Sequence, residues 1–175
     1  MLELFRELTG DVLQASTQQE KSRLVILNNV SNVGAWDSKV SVAISEGDGA
    51  PEAAYKKWFG DNFYEDRSGE QVPFNLGFVQ FVPYKPIAGA AVCNVIGYEG
   101  VSDEEDTRSP IRYFAIAKCL TEVYQRLAES VAQGKKVEVA VSQQFAAGGS
   151  WNWVSLLLKE LAHVTGVPTT VYKIA

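Results

Sequence analysis

The amino-acid sequence predicts an α/β fold: a three-layer α/β/α sandwich in which helices cover both faces of a mixed, mostly parallel central sheet. Short apolar segments with strand character alternate along the chain with longer amphipathic segments, the order typical of such folds. The chain has 175 residues, of which 46% are hydrophobic and 21% charged, and this balance suits a compact domain with a substantial core. No repeat, low-complexity tract or linker interrupts it, so we expect a single domain over residues 1–175.

The first half of the chain predicts three strands and two short helices. Residues 24–27 (LVIL) are a short branched run bounded by polar residues, as in a buried strand. Residues 40–45 are predicted to be helical, and Pro51 begins a second helix, PEAAYKKWF, because proline fits the first helical turn. Residues 60–73 are predicted to form a loop, and residues 76–82 and 90–96 to form strands.

The second half predicts two longer helices and two strands. A helix begins at Ser109-Pro110 and ends at Gly134, because a capping serine and a first-turn proline precede apolar residues spaced three and four apart. A strand follows at residues 137–141 and a helix at residues 151–165, which Gly166 and Pro168 terminate. Residues 169–174 form the last predicted strand.

Charge and composition exclude several kinds of partner. The net charge is −5 and the basic residues are scattered, so we expect no nucleic-acid polymer as a partner. No apolar run is long enough to span a bilayer and the N-terminus lacks signal-peptide features, so we expect no membrane partner and a soluble, cytoplasmic protein. The acidic run at residues 103–106 (DEED) lacks regular metal-ligand spacing, and Cys93 and Cys119 lie in apolar segments, so we expect no metal and no cofactor.

Two loops share one layout, in which a strand is followed by a glycine-containing segment and then by a helix. The first is NNVSNVGAWDSK after residues 24–27, and the second is SQQFAAGGS after residues 137–141. In a parallel sheet both loops fall at the carboxyl edge, where the unpaired amides of a helix start favour an anion. Two such loops suit a diphosphate, although Gly148-Gly149 before Ser150 also fits a plain turn into a helix cap. Neither GxxxxGK[ST] nor GxGxxG is present.

In this order the segments resemble the macro domain family, whose members bind ADP-ribose, and most closely the branch of ADP-ribosyl hydrolases and ADP-ribose 1''-phosphate phosphatases. The resemblance spans nearly the whole chain. It rests on a succession of motifs: TGDVLQAS (9–16), ILNNVSNVGAWDSKVSVAI (26–44), LGFVQFV (76–82), VCNVIGYEG (92–100), IRYFAIAKCL (111–120), VEVAVSQQFAAGGSWNWV (137–154) and TTVYKI (169–174).

The resemblance implies a role for each matching residue. Asp11, with Val12 beside it, would accept a hydrogen bond from the adenine amino group, and Tyr172 would stack near adenine. By residue type alone, Asp11 also fits a turn and Tyr172 also fits the core. The first loop would surround the distal ribose and its phosphate with Asn28, Ser31, Asn32, Gly34, Ala35, Trp36 and Ser38. The second loop would hold the diphosphate with Phe145, Ala146, Ala147, Gly148, Gly149 and Ser150.

Departures from the family pattern decide whether catalysis is expected. The Gly–x–Gly of the first loop is here Asp37-Ser38-Lys39, the second loop is shorter and lacks the nucleophilic aspartate of one branch, and Tyr98 replaces a glutamine. Asp37 and Lys39 are the candidate catalytic pair, activating water or stabilising a leaving group, unless they form a solvated ion pair. We therefore expect ADP-ribose binding with weak or no catalysis. The alternatives are a hydrolase or phosphatase acting on ADP-ribosylated protein or the 1''-phosphate, and an interaction module without a ligand.

Overall fold

The computed structural model describes residues 1–101, 111–146 and 148–174. Within them lie eight strands, β1 (Phe5–Thr9), β2 (Arg23–Ser31), β3 (Phe63–Glu65), β4 (Gln71–Pro73), β5 (Val79–Tyr84), β6 (Ala90–Tyr98), β7 (Val137–Ser142) and β8 (Thr169–Lys173). The same residues include four α-helices, α1 (Lys39–Gly47), α2 (Ala50–Asp61), α3 (Tyr113–Ala132) and α4 (Trp151–Thr165). Two short 3₁₀ turns follow β1 and β7, at Val12–Gln14 and Gln143–Ala146.

The central sheet has six strands in the order β1-β8-β7-β2-β6-β5. Every neighbouring pair is parallel except β5 and β6, which pair antiparallel. The predicted mixed, mostly parallel sheet is confirmed. The carboxyl ends of β1, β8, β7, β2 and β6 consequently meet at one edge of the sheet.

Alternate residues along the central strands face two different layers of helices. Val25 and Leu27 of β2 share a buried cluster with Leu120 of α3 and Leu158 of α4. Their neighbours Leu24 and Ile26 point to the opposite face and pack with Ile44 of α1. The aromatic side chains of α2 fill a third cluster on this second face, with Tyr55 and Trp58 fully buried against Val30 and Ile96. These contacts confirm the three-layer sandwich.

The predicted loop at residues 60–73 contains a β-hairpin, so this part of the prediction is wrong. β3 and β4 pair antiparallel across a turn that Asp66 holds, because its Oδ1 accepts hydrogen bonds from the amides of Ser68 (2.8 Å) and Glu70 (3.0 Å). The Tyr64 hydroxyl donates to the Val79 carbonyl (2.7 Å) and fixes the hairpin to the sheet. Strands of three residues are too short to show an alternating pattern in the sequence.

The other differences concern strand β1 and the ends of elements. No strand was predicted at residues 5–9, because β1 is an edge strand whose partly exposed residues FRELT lack an apolar run. β5 begins three residues later than predicted, after Gly77, which has φ +89°. The predicted start of the third helix at residues 109–110 lies outside the described residues, and the described helix begins at Tyr113. No described helix is long and apolar enough to cross a membrane.

Candidate functional site

A pocket of about 300 Å³ opens at the carboxyl edge of the sheet, between the turn after β1 and the start of α1. Its location agrees with the rule that open α/β sheets bind ligands beyond the carboxyl ends of their strands. Four segments contribute its walls: the turn after β1, the first turns of α1, the end of β7 with the 3₁₀ turn after it, and the residue after β8. The lining residues are Gly10, Asp11, Val12, Leu13, Lys39, Val40, Ala43, Ser142, Gln144 and Ile174.

Asp11 is fixed at the pocket by the turn that it caps. Its Oδ1 accepts a hydrogen bond from the Leu13 amide (2.9 Å), which begins the 3₁₀ turn at Val12–Gln14. The Gly10 amide donates to the Lys173 carbonyl (3.0 Å) and holds the same turn against β8. Val12 is 4% exposed and belongs both to the core and to the pocket wall. The structure thus brings Asp11 and Val12 together in one pocket, and their contact with a ligand stays a prediction.

Asn28 and Ser31 are buried and bond to protein atoms. Asn28 Oδ1 accepts from the Ser41 hydroxyl (3.0 Å), and Asn28 Nδ2 donates to Asn94 Oδ1 (3.1 Å), so this amide connects α1 to strands β2 and β6. Ser31 Oγ accepts from the Ala35 amide (3.2 Å) and lies 3.2 Å from the Tyr55 hydroxyl. Both side chains therefore shape the first loop, and their contact with a ligand stays a prediction.

The rest of the first loop folds back on the layer formed by α1 and α2. Gly34 has φ +75°, and a Cβ there would lie 2.4 Å from the ring of Phe59. The Trp36 indole donates to the Ser45 hydroxyl (2.8 Å). Asn32 Oδ1 instead accepts from the Gly100 amide (3.0 Å) and links the loop to the segment after β6. Ser38 caps α1 by accepting from the amide of residue 41 (3.0 Å).

Asp37 and Lys39 are directed to different elements. The Tyr98 hydroxyl, at the end of β6, donates to Asp37 Oδ1 at 2.7 Å, whereas Lys39 lines the pocket that Asp11 also lines. Burial, followed by the hydrogen bond to Asp37, raises the pKa of Tyr98, so the phenol stays protonated and remains a donor. Asp37 and Tyr98 are both departures from the family pattern, and the structure places them in contact. A joint catalytic role of Asp37 and Lys39 stays a prediction.

The second loop is tied to its surroundings through its backbone. Phe145 and Ala146 are buried, and the Asn29 side-chain amide donates to the Phe145 carbonyl (3.0 Å). The Gly149 amide donates to the Ala146 carbonyl (2.8 Å), and the Ser150 amide donates to the hydroxyl of residue 113 (2.6 Å). These two amides, predicted to hold a diphosphate, already have protein acceptors.

Two glycines shape the same loop, and one predicted residue lies beyond what the structure describes. Gly148 has φ +81°, a conformation that L side chains rarely adopt. A Cβ on Gly149 would lie 2.8 Å from Ile111 Cδ1 and 3.0 Å from the Tyr113 hydroxyl. Ala147 lies outside the described residues.

Tyr172 lies beneath the pocket. It is 6% exposed, packs in the core with Val12 and Ile26, and its ring would lie 3.9 Å from a Cβ on Gly10. Ile174, two residues later and on the same side of the chain, lines the pocket instead. Stacking of Tyr172 on a ligand stays a prediction.

Seven pocket residues were missed from the sequence: Gly10, Leu13, Val40, Ala43, Ser142, Gln144 and Ile174. Val40 and Ala43 are three residues apart on the predicted helix and share one face, so the predicted helix start was a signal that would have found them. Ser142 ends a strand that precedes a predicted ligand loop. Leu13 and Ile174 carried no signal, because isolated apolar residues beside a turn or a strand end are equally common in a core.

Comparisons with known proteins identify the family. Neither the comparison with protein-family models nor the comparison with curated proteins finds a match. Among solved structures, a macrodomain protein from Streptomyces coelicolor is similar, with 31% sequence identity over 96% of this chain and 97% of that chain and a TM-score of 0.74. A protein from Bacteroides thetaiotaomicron shares 27% identity over 98% of this chain and 99% of that chain, with a TM-score of 0.74.

A more distant similarity concerns a structure that holds a ligand. Thermosipho africanus DarTG in complex with ADP-ribose is 11% identical over 98% of this chain and 43% of that chain, with a TM-score of 0.66, and this similarity shows the fold alone. The similarity to the Streptomyces coelicolor protein, in contrast, extends over almost the full length of both chains at 31% identity. The chain belongs to the macrodomain family.

Proposed function

We propose that this chain binds ADP-ribose, or a close derivative of it, at the carboxyl edge of the sheet. The pocket is the observation that carries the proposal: about 300 Å³, with Val12, Leu13 and Val40 among its apolar walls and the Asp11 carboxylate at one side. Apolar walls with a few convergent polar groups suit a purine base. The DarTG structure from Thermosipho africanus, which shares the fold, contains ADP-ribose.

Asp11 is the residue that selects adenine in this proposal. One of its oxygens caps the Leu13 amide, and a carboxylate accepts several hydrogen bonds, so the same group also accepts one from the exocyclic amino group. The cap holds the carboxylate in place before the ligand arrives, which reduces the ordering cost of binding. A base with a carbonyl oxygen at that position would oppose two acceptors and bind more weakly.

The two loops would receive the remainder of the ligand. The diphosphate would approach the second loop, where Gly148 and Gly149 keep side chains away from it. There the Ser150 amide would exchange its bond with the Tyr113 hydroxyl for one with a phosphate oxygen. The distal ribose would lie against the first loop, whose shape the buried Ser31 hydroxyl maintains.

Calorimetry with ADP-ribose tests the proposal, and Asp11→Asn is the sharpest variant. Asparagine retains one side-chain oxygen for the Leu13 amide and presents an NH₂ group to the adenine amino group, so two donors face each other. We expect binding to weaken by about 1–3 kcal/mol while the fold is kept. Asp61→Asn, at the end of α2 and outside the pocket lining, is the matched control and should bind as the wild type does.

A second candidate function is hydrolysis of an ADP-ribosyl linkage or of the 1''-phosphate. The observation that favours it is the Asp37 carboxylate, held in the first ligand loop by the Tyr98 hydroxyl at 2.7 Å. Turnover of ADP-ribosylated protein or of the 1''-phosphate by the wild-type protein would support this function, provided that Asp37→Asn abolishes the turnover. If the wild-type protein binds none of these compounds, both candidate functions fail, and an interaction module without a ligand is the alternative that remains.

A further inference from the structure

We propose that Lys39 reads the phosphate attached to the nucleoside, so that the pocket takes 5'-phosphorylated adenosine compounds and discriminates against adenosine itself. This inference rests on the proposed function and adds a specificity-determining side chain to it. The family pattern that this chain resembles has a glycine at this position, and a glycine contacts a ligand through its backbone alone. A lysine there adds a mobile positive charge to the pocket.

The position of Lys39 follows from the start of α1. Ser38 caps this helix, and Lys39 is its first residue. Side chains of a helix tilt toward its N-terminus, so the lysine side chain extends past the helix start, where it lines the pocket with Val40 and Ala43. Lys39 does not have positive φ, so its backbone carries no strain from the loss of a glycine.

The charges around the pocket favour an anion beside Lys39. Of the lining residues in the described part of the chain, only Lys39 is cationic and only Asp11 is anionic. No carboxylate in residues 1–101, 111–146 and 148–174 forms an ion pair with Lys39. Within the described residues its ammonium group therefore has no carboxylate at ion-pair distance.

The backbone next to Lys39 adds to this preference. The amides of Lys39 and Val40 are the first two of α1, and within the described residues no protein acceptor bonds to either. The positive end of the helix dipole lies at the same place. The ammonium group of Lys39, the two amides and the positive end of the helix dipole thus all attract an anion to the same place. Each of these attractions alone would be weak.

The two charged residues of the pocket serve different ends of the ligand. Asp11 lies on the turn after β1 and would accept from the base, whereas Lys39 lies on α1 and would donate to the phosphate. The two are not ion-paired with each other, so both remain available to a ligand that carries a hydrogen-bond donor at one end and an anion at the other. AMP is the smallest probe with both groups, and adenosine has only the first.

Calorimetry on the full chain with adenosine, AMP and ADP-ribose tests the inference. We expect Lys39→Met to weaken AMP and ADP-ribose about tenfold, the effect of losing a charge-assisted hydrogen bond, and to leave adenosine within about twofold. The salt dependence of AMP binding should decrease in this variant. Lys39→Arg should restore both the affinity for AMP and its salt dependence. Lys135→Met, just before the amino end of β7 and thus at the opposite edge of the sheet, is the control for general charge loss.

The outcomes separate this inference from the proposed function. Equal weakening of adenosine and AMP would show that Lys39 only packs against the base, and unchanged AMP binding would show that it does not reach the phosphate. Either result overturns the inference while ADP-ribose binding by the wild-type protein still stands. Wild-type protein that binds neither AMP nor ADP-ribose would overturn the proposed function and this inference together.

Discussion

The hydrogen bond between Tyr98 and Asp37 should couple the contributions of these two residues to the free energy of unfolding. The Tyr98 hydroxyl donates to Asp37 Oδ1 at 2.7 Å, and Tyr98 is 7% exposed. Hydrogen bonds to charged groups contribute about 1.5–3 kcal/mol, and because the Asp37 carboxylate is exposed, solvent screening reduces this to about 1 kcal/mol. Urea unfolding of the wild type, Tyr98→Phe, Asp37→Ala and the double variant measures the coupling energy.

The double-mutant cycle is needed because each residue has further contacts. Effects of Asp37→Ala that do not involve Tyr98 appear in both arms of the cycle and cancel. Tyr64→Phe combined with Asp37→Ala is the matched control, since the Tyr64 hydroxyl bonds to the Val79 carbonyl elsewhere in the sheet. Additivity of Tyr98→Phe and Asp37→Ala within about 0.3 kcal/mol would refute the coupling.

Three further predictions concern stability. Gly34→Ala should cost about 1–3 kcal/mol more than Gly69→Ala, because both positions have positive φ but only Gly34 places a Cβ against a ring, that of Phe59 at 2.4 Å. Glu138→Gln should cost about 2–3 kcal/mol, because its buried carboxylate accepts the amides of residues 18 (2.8 Å) and 19 (2.9 Å) and one oxygen would become a donor. Burial raises the pKa of Tyr55 from 10.0 to about 12, so its stabilising contribution is complete below pH 10 and is lost as the pH rises to 12. Between these two pH values the wild type should lose about 2 kcal/mol more than Tyr55→Phe.

Urea unfolding checks all three, and each has an outcome that contradicts it. Equal costs for Gly34→Ala and Gly69→Ala would mean that the Phe59 ring moves aside freely. A neutral Glu138→Gln would mean that the loop before β2 does not need the carboxylate. Parallel loss of stability with pH in the wild type and in Tyr55→Phe would mean that the Tyr55 phenol ionises as easily in the folded state as in the unfolded state.

Helices and buried strands were predictable where many residues repeat one pattern. Helix α4 was placed at residues 151–165, as observed, because Ser150 and Gly166 mark its ends and apolar residues repeat between them. The antiparallel hairpin and strand β1 were not predictable. Their stability comes from partners distant in sequence, such as the β1–β8 pairing of Leu8 with Tyr172, and three to five partly exposed residues carry no periodic signal.

The sequence placed the candidate site at the edge of the sheet that carries the pocket, and the contacts of individual residues with a ligand stay predictions. Asp11 and Val12 were placed in the pocket by their motif, and both line it. Asn28 and Tyr172 were also assigned to the ligand, yet the structure buries both side chains among protein atoms. A polar or aromatic residue in a loop motif looks the same in the sequence whether its side chain contacts a ligand or stabilises the loop. Only the hydrogen-bond and packing partners of that side chain distinguish these two roles.

The loss of two glycines from the first loop has a physical explanation in the backbone. Of the described residues other than glycine, only Lys21 and Asn62 have positive φ, so Asp37 and Lys39 occupy conformations that any residue adopts. Gly34, with φ +75° and the Phe59 ring where a Cβ would lie, cannot be exchanged in the same way. The two glycines of the family pattern that correspond to Asp37 and Lys39 are therefore not required by the fold of this loop. In this chain two charged side chains take the place of these glycines. The Asp37 carboxylate accepts a hydrogen bond from Tyr98 at the end of β6, and Lys39 lines the pocket. Under the proposed function, differences between this chain and its relatives should accordingly appear in which phosphates and riboses they accept, and much less in how stably the first loop folds.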